Sequence, residues 1–308
     1  MILSIIIPVY RGEMTIRSLY SKIVKAFENN NSIELEVIFV YDCGGDNSWK
    51  VIKEIVSKSN DIAKGVRLSR NFGQHNALIC GFENATGDFA VTIDEDLQQD
   101  PNDIIKLLEK QKENNYDVVY GKFKKLKHSF FRNLTSSLLK RLIQLGIPDL
   151  HPDYSALRLI KKEIYHELPK LENSYTFLDG YISWITTNVA SIPVDHYNRE
   201  KGNSSYNIKS LIEHSINIFV TFSNLPIRIL TYSSIIAFIA TIVYSAIIVY
   251  QRYVGQISIP GYASLIIAIG LGVGFILLGL GIIGEYIYRI NLKTTKRPNY
   301  ISIEKKEE

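Results

Sequence analysis

The sequence predicts an α/β domain with a mainly parallel sheet, followed by a part that spans a membrane twice. Three observations predict this architecture. Strand-like and helix-like segments alternate from residue 2 to about residue 121, which is typical of a parallel sheet covered by helices on both faces. The fourth strand-like run ends abruptly in the carboxylates Asp94 and Asp96. Two long uncharged stretches lie in the C-terminal third.

The elements of the first domain follow one another in a regular order. Strands are predicted over residues 2–8, 36–41, 63–68, 89–94 and 117–120, and helices over residues 14–28, 46–58, 74–85 and 101–113. The apolar N-terminal segment is short and lacks a basic leader and a cleavage site, so we expect a first strand and not a signal peptide. A second, mixed region runs from about residue 122 to residue 199.

Composition bounds the class of protein. With 308 residues the chain has room for one sizeable domain and a smaller part. A net charge of +4 is too mild to indicate a nucleic-acid partner. Cys43 and Cys80 are the only cysteines, too few for a disulfide framework or a zinc site, which fits a reducing compartment.

The two uncharged stretches, residues 229–250 and 258–284, predict membrane spans. A helix of about 22 residues rises roughly 33 Å, enough to cross a hydrocarbon core of about 30 Å. Basic residues flank the pair on its outer sides, whereas the loop between the two contains only Arg252, so both termini are expected in the cytoplasm. The preceding segment 206–222 has helical spacing and predicts either an interfacial helix or an ordinary core-facing helix.

The acidic end of the fourth strand predicts a metal site. Asp94, Asp96 and Gln98 would lie at the carboxyl edge of the sheet, where open α/β folds bind ligands. Two carboxylates and an amide oxygen suit Mg²⁺ or Mn²⁺, ions that usually arrive with a phosphate-bearing substrate. Taken alone, the pattern is also typical of a solvated acidic turn.

Other strand ends should converge on the same edge. Asp42 could accept a hydrogen bond from a base N–H, and Arg70 could oppose a diphosphate. Asp46 is better interpreted as the cap of the next helix.

Four segments carry a resemblance to a known family. They are SIIIPVYRGEMTI, EVIFVYDCGGDNS, RNFGQHNALICGFENATGDFAVTIDEDLQQDP and YDVVYGK. They resemble the inverting family-2 glycosyltransferases with the GT-A fold and, more narrowly, the polyprenyl-phosphate (dolichyl- or undecaprenyl-phosphate) glycosyltransferases. The likeness covers about the first 230 residues, and the paired uncharged stretches match bacterial membrane-bound members.

The resemblance implies a set of donor-side residues. Nucleotide-sugar contacts would come from Pro8, Tyr10, Glu13, Asp42, Arg70 and Asp94, the metal ligands would be Asp94, Asp96 and Gln98, and the catalytic residues would be Asp96 and Asp153. Three positions depart from the pattern. Glu95 replaces a usual Ala, which we expect to be tolerated because strand side chains alternate. Arg11 and Gly12 replace a usual Asn-Glu, which leaves the nucleotide preference open.

The acceptor side is implied by two further segments. Asp153, in PDYSALR, would face the acceptor, although an Asp after Pro152 also suits a turn cap, and Ala156 replaces a second acidic residue. The segment REKGNSSY resembles a phosphate-binding loop in which Ser205 replaces Lys. The implied acceptor-phosphate residues are Arg132, Arg199, Lys201 and Ser204. The basic stretch around Arg132 could equally face anionic headgroups.

The implied organisation has four parts. A cytoplasmic GT-A domain spans residues 1–200, an acceptor loop with an interfacial helix spans 201–228, two transmembrane helices span 229–288, and a cytoplasmic tail spans 289–308. Such a multi-pass protein would lie in the inner (cytoplasmic) membrane, with a homo-oligomer, a tetramer in similar proteins, as its implied assembly.

The implied reaction moves one hexose, with glucose from UDP-glucose as first choice, onto undecaprenyl phosphate for cell-envelope glycan modification such as that of lipopolysaccharide. GDP-mannose, UDP-galactose and UDP-N-acetylhexosamine stay open as donors. A phosphate monoester with a second pKa near 6 is already a nucleophile, so inversion by direct displacement needs no strong base, and Asp153 is expected to orient the reactants.

Three rival functions are disfavoured. A processive polysaccharide synthase would carry Gln-x-x-Arg-Trp, whereas no Arg precedes Trp184. A nucleotidyltransferase would need a Gly-rich basic loop after the first strand. A membrane scaffold with an inactive domain would not need the intact Asp94, Asp96 and Gln98.

Overall fold

The computed structural model describes residues 1–30, 32–123, 147–171, 175–195, 197, 261–294 and 298–306, with scattered positions between 217 and 254. The strands are β1 (Ile2–Val9), β2 (Glu34–Tyr41), β3 (Ala63–Leu68), β4 (Phe89–Thr92), β5 (Val118–Phe123), β6 (Arg158–Lys161), β7 (Val189–Val194) and β8 (Ser302–Lys306). The helices are α1 (Ile16–Phe27), α2 (Ser48–Val56), α3 (Gln74–Asn84), α4 (Asp103–Asn114), α5 (Lys162–Tyr165), α6 (Leu178–Ile185) and α7 (Tyr262–Thr294), with a 3₁₀ turn at Leu168–Lys170.

The eight strands form one mixed sheet in the order β7-β5-β6-β4-β1-β2-β3-β8. The alternating α/β prediction is confirmed, since all five predicted strands and all four predicted helices are present with boundaries shifted by a few residues. The sheet is mixed: β6 and β8 run antiparallel to their neighbours, whereas the other four pairings are parallel, so the prediction of a mainly parallel sheet holds for the remaining strands. Neither strand belongs to the predicted alternation, so the pattern could not give their direction.

Both faces of the sheet are buried, as expected for a sheet between helices. In β1, Ile5 and Ile7 pack into the apolar layer under α1, α2 and α4, while Ile6 faces the layer under α3 and α6. Gly81 of α3 lies against this second side, where an added Cβ would come within 2.2 Å of Ile6 Cγ2. The close approach holds α3, and the loop that precedes it, against the carboxyl half of β1.

A buried ion pair joins the second half of the domain to the sheet. Arg158 of β6 donates from Nη1 to Asp179 Oδ1 of α6 over 2.8 Å, and the Tyr120 hydroxyl of β5 donates to the same oxygen over 2.9 Å. Arg158 and Asp179 are both almost fully buried. Burial raises the pKa of Asp179, and the Arg158 charge opposes that rise. The pair therefore fixes α6 on the sheet.

The last strand closes the free edge of β3. β8 pairs antiparallel with β3, and its Glu304 accepts a 2.9 Å hydrogen bond from the indole nitrogen of Trp49 in α2. Ile301 O also accepts a 2.8 Å bond from Ser69 N, just beyond β3. The described part of the segment expected as a tail, residues 289–294 and 298–306, contains the end of α7 and this strand.

Helix α7 packs its C-terminal part against residues near position 220. Arg289 donates from Nη1 to Thr221 Oγ1 over 2.8 Å and from Nη2 to Asn217 Oδ1 over 3.2 Å, and the Tyr286 hydroxyl donates to Ser223 O. Phe222 of the same segment lies against Gly180 of α6. Among the described helices, none combines the length and the apolar character of a membrane span.

Breaking the buried ion pair should destabilise the domain. We expect Asp179→Ala to lower the free energy of unfolding by about 3–5 kcal/mol, because Arg158 would keep an uncompensated buried charge. Urea unfolding followed by circular dichroism measures this loss. The paired substitution Arg158→Met with Asp179→Leu is the control and should recover most of it, so equal losses in both variants would contradict the prediction.

Candidate functional site

The predicted site residues converge where the parallel strands end. β2 and β4 flank β1 in parallel register, and β3 follows β2 in the same direction, so the loops after these strands share one edge. We call them the β1 loop (residues 10–15), the β2 loop (42–47), the β3 loop (69–73) and the β4 loop (93–102). Their side chains are linked by hydrogen bonds that cross from loop to loop.

The β4 loop holds its two outer carboxylates with amide donors. Asp94 Oδ1 accepts from Gln74 Nε2 over 2.7 Å, and Asp94 Oδ2 accepts from Gln99 Nε2 over 3.2 Å. Asp96 Oδ1 accepts from Gln98 N over 3.1 Å. Neutral amide donors orient a carboxylate without cancelling its charge, which suits a group that is to bind a cation.

Gln98 is held by the chain that follows β7. Its Nε2 donates to Tyr197 O over 3.1 Å, while Tyr197 N donates to Gln98 O over 2.9 Å. With the side-chain nitrogen committed to Tyr197, the amide oxygen is the atom of Gln98 suited to a cation. Among the described residues, no three His, Cys, Asp or Glu side chains cluster as a metal site. The predicted ligands Asp94, Asp96 and Gln98 are two carboxylates and an amide.

Glu95 does not behave as a residue of a strand. β4 ends at Thr92, and Glu95 lies in a turn, with Leu97 beyond it at a φ of 63°. Glu95 Oε1 accepts from Tyr10 N over 3.3 Å, so its carboxyl group contacts the β1 loop. Burial, helped by the charge of Asp94, raises the pKa of Glu95 to about 8. Glu95 therefore lies in a turn and not in the strand that the expectation assumed, and its tolerance in place of Ala stays a prediction.

Asp42 anchors the β3 loop. Its Oδ1 accepts from Phe72 N over 2.7 Å and its Oδ2 from Gly73 N over 2.8 Å. Gly73 has a φ of 89°, a left-handed conformation that favours glycine. Asp42 is only 3% exposed, and burial raises its pKa to about 6 despite these two bonds. Each oxygen keeps a second lone pair, so the predicted base contact stays a prediction.

The β1 and β2 loops exchange hydrogen bonds. Glu13 accepts from Asn47 N over 3.2 Å and from Asn47 Nδ2 over 3.1 Å, while Glu13 N donates to Asp46 Oδ2 over 3.2 Å. Asp46 also accepts from the Ser48 hydroxyl over 2.5 Å. The start of α2 is thus held by Glu13, and Asp46 makes no cap bond to a backbone amide of the first helical turn.

The remaining donor-side residues are less tightly held. Arg70 is exposed, and its guanidinium lies 4.7 Å from the centre of the Phe72 ring. Tyr10 is half-buried at the start of the β1 loop, and the Arg11 guanidinium lies 5.3 Å from its ring centre. Pro8 is buried inside β1, paired with Val40 of β2. Arg70 thus lies exposed at the carboxyl edge of the sheet, whereas Pro8 is buried within β1.

Asp153 is held by side chains from two strands. Lys122 of β5 lies 3.1 Å from Asp153 Oδ1, and the Ser191 hydroxyl of β7 donates to Oδ2 over 2.9 Å. Burial alone would raise the pKa of Asp153, but the bonds from Lys122 and Ser191 outweigh it and lower that pKa. Asp153 N also donates to His151 Nδ1 over 3.2 Å, and this bond involves the backbone of Asp153 and not the side chain that a turn cap would use. The acceptor-side residues Arg132, Arg199, Lys201 and Ser204 lie outside the described residues.

Several residues that order the site were missed in the sequence. Gln74, Gln99 and Tyr197 hold the β4 loop, and Lys122 with Ser191 holds Asp153. Of these residues, only Gln74 could have been found from the sequence. It begins the predicted helix that follows the third strand, which places it at the carboxyl edge of the sheet.

The comparisons with known proteins agree with this geometry. An α/β fold with ordered carboxylates at the carboxyl edge of its parallel strands suits an enzyme that binds a ligand there, and the family match defines the class as a nucleotide-sugar transferase. The chain belongs to glycosyl transferase family 2, whose model matches residues 4–168. CsbB and YkcC of Bacillus subtilis (strain 168), both named as glycosyltransferases, are 31% and 32% identical over 301 residues, covering 97% of this chain and 91% and 92% of theirs.

A solved structure supports the fold. Glucosyl-3-phosphoglycerate synthase from Mycobacterium tuberculosis, in complex with Mn²⁺, UDP-glucose and phosphoglyceric acid, superposes with a TM-score of 0.53 at 16% identity. The match covers 71% of this chain and 78% of that one. The predicted family and the GT-A fold are confirmed, and the polyprenyl-phosphate type stays a prediction.

The raised pKa of Asp42 predicts a pH-dependent stability. Its folded pKa of about 6 lies above the ordinary value of 3.8, so this group's contribution is complete below pH 3.8 and is lost as the pH rises through 6. The expected loss is about 2–3 kcal/mol of unfolding free energy relative to Asp42→Asn, which cannot titrate. Chemical denaturation of both proteins from pH 4 to pH 7 measures it. A constant difference between them would contradict the prediction.

Proposed function

We propose that this glycosyltransferase moves one hexose, with inversion, from a nucleotide sugar to a polyprenyl phosphate such as undecaprenyl phosphate. The observation that carries the proposal is the β4 loop, whose Asp94 and Asp96 are held at the sheet edge by amide donors from α3, from the loop itself and from its own backbone. Such order is needed where a diphosphate leaving group must be held in one position.

Asp94, Asp96 and Gln98 would hold Mg²⁺ or Mn²⁺. A bound divalent cation supplies positive charge that stabilises the departing nucleoside diphosphate. The Mn²⁺ and UDP-glucose in the complex of the Mycobacterium tuberculosis synthase support this assignment and make UDP-glucose the first donor to test. GDP-mannose, UDP-galactose and UDP-N-acetylhexosamine remain further donors to test.

The donor would lie across the β1, β2 and β3 loops. Asp42 would accept from a base N–H, Tyr10 and Glu13 would border the nucleoside, and Arg70 at the exposed rim would face the diphosphate. Pro8, which is buried in β1, would contribute by positioning the β1 loop that follows this strand.

Asp153 would orient reactants and not act as an obligatory base. Its lowered pKa and its ion pair with Lys122 keep it ionised and fixed, which suits a positioning carboxylate more than a proton acceptor. The acceptor phosphate is itself nucleophilic at neutral pH. Arg132, Arg199, Lys201 and Ser204 are proposed to hold that phosphate, from their place in the sequence.

We also propose that the chain is a multi-pass inner-membrane protein whose catalytic domain and termini are cytoplasmic. The uncharged stretches 229–250 and 258–284 support two spans. Helix α7 exposes many large apolar side chains, namely Leu265, Ile269, Val273, Phe275, Ile276, Leu280, Ile283, Ile287, Tyr288 and Ile290. Surfaces of this kind mark membrane or protein contacts.

β1 and β8 belong to the same sheet and therefore lie on the same side of any membrane. The number of membrane spans between these two strands must then be even. A homotetramer is the proposed assembly.

The division of labour between two carboxylates is testable. We expect Asp96→Ala to abolish turnover, because it removes a metal ligand, and Asp153→Asn to retain at least about tenfold more residual rate, because positioning is only weakened. Transfer from labelled UDP-glucose to undecaprenyl phosphate measures both rates. Glu109→Gln, an exposed carboxylate on α4, is the control. Equal and complete loss in both variants would contradict the assignment.

Metal removal and acceptor choice test the whole proposal. Membranes containing the protein, incubated with a panel of labelled nucleotide sugars, should form a lipid carrying a single sugar. Excess EDTA should stop the reaction, and added Mn²⁺ should restore it. Undiminished transfer in EDTA, or no product with any isoprenoid phosphate, would overturn the proposal. A polymeric product would instead identify a processive synthase.

A further inference from the structure

The contact between Glu95 and the β1 loop has a role beyond the metal ligands that flank it. Asp94 contacts Gln74 and Gln99, and Asp96 contacts Gln98, whereas Glu95 reaches in another direction to Tyr10 N over 3.3 Å. Glu95 is therefore the residue of the acidic triplet that connects the β4 loop with the β1 loop.

Gly12 makes room for this connection. A Cβ added at Gly12 would lie 3.0 Å from Glu95 Cγ, 3.0 Å from Ile16 Cγ2 and 3.1 Å from Val9 Cγ1. The backbone of Gly12 is not left-handed, so the position calls for glycine because of space and not because of conformation. A side chain at position 12 and the side chain of Glu95 would compete for the same volume.

Gly12 is also a fixed point of the fold. Its carbonyl oxygen accepts from Thr15 N over 3.0 Å and from Ile16 N over 3.1 Å, which begins helix α1. On the other side of the β1 loop, Arg11 has a φ of 62° and its Nε donates to Gly44 O over 3.0 Å. The β1 loop is thus held between Gly44 of the β2 loop and Glu95 of the β4 loop.

We propose that Glu95 is a positioning residue that fastens the β1 loop to the β4 loop, and that Gly12 and Glu95 are a matched pair in which only one of the two positions carries a side chain. The inference rests on the proposed function, in which the β1 loop borders the nucleoside and the β4 loop holds the diphosphate. The contact would fix the distance between the β1 loop, which borders the nucleoside, and the β4 loop, which holds the diphosphate.

The expected effect is on donor binding more than on turnover. Glu95→Ala leaves Tyr10 N without its acceptor, so the affinity for a nucleoside diphosphate should fall about tenfold while kcat changes by less than about twofold. Glu95→Gln keeps an acceptor oxygen and should stay within about threefold of the wild type. Glu109→Ala, an exposed carboxylate on α4, should have no effect.

A double-mutant cycle tests the matched pair. Gly12→Ala should weaken binding of UDP or GDP in the presence of Mn²⁺, measured by isothermal titration calorimetry on the full-length protein. In the Glu95→Ala background the same substitution should cost at least about threefold less, because the contact with Glu95 Cγ is removed while those with Ile16 and Val9 remain. Thermal unfolding of each variant checks that it is folded. Hydrogen exchange of the Tyr10 amide should accelerate in Glu95→Ala, and this measures the contact between the two loops in the absence of ligand.

Each contrary result has its own meaning. Additive effects of the two substitutions, or equal losses in Glu95→Ala and Glu95→Gln, would overturn the inference while leaving the proposed function in place. A fall in kcat at unchanged donor affinity would also overturn it. A wild-type protein that binds neither UDP nor GDP would overturn the proposed function and this inference together.

Discussion

The site depends on one carboxylate held from two sides. Asp94 accepts hydrogen bonds from Gln74 at the start of α3 and from Gln99 later in its own loop. Gly81 lets α3 pack tightly on β1, and this packing fixes the position of Gln74 at the start of α3. Gln74 in turn fixes Asp94, so the orientation of the acidic turn depends on packing in the core of the sheet.

Asp153 is held in a different way. It contacts Lys122 and Ser191, which project from β5 and β7 at the opposite end of the sheet from β8. That end is stabilised by the buried pair of Arg158 and Asp179. A cation and a hydroxyl thus hold Asp153, whereas amide donors hold Asp94 and Asp96.

The sequence predicted the features that depend on neighbouring residues and missed those that depend on contacts between distant parts of the chain. β1 to β5 and α1 to α4 follow from runs of apolar residues, and the rim followed from their parallel order. The expectation for Glu95 assumed a continuing strand, whereas β4 stops at Thr92. The two backbone partners of Asp42 lie 30 and 31 residues away, and no local pattern records such a pairing. The roles of Arg132, Arg199, Lys201 and Ser204 are expectations from the sequence motif.

The strand β8 bears on how the protein is made. Its charged sequence carries no strand signal, and its contact between Trp49 and Glu304 joins residues 255 positions apart. During synthesis, the edge of β3 stays open until β8 has been made. An open edge of this kind can pair with other chains. Removal of β8 would therefore expose this edge and favour aggregation.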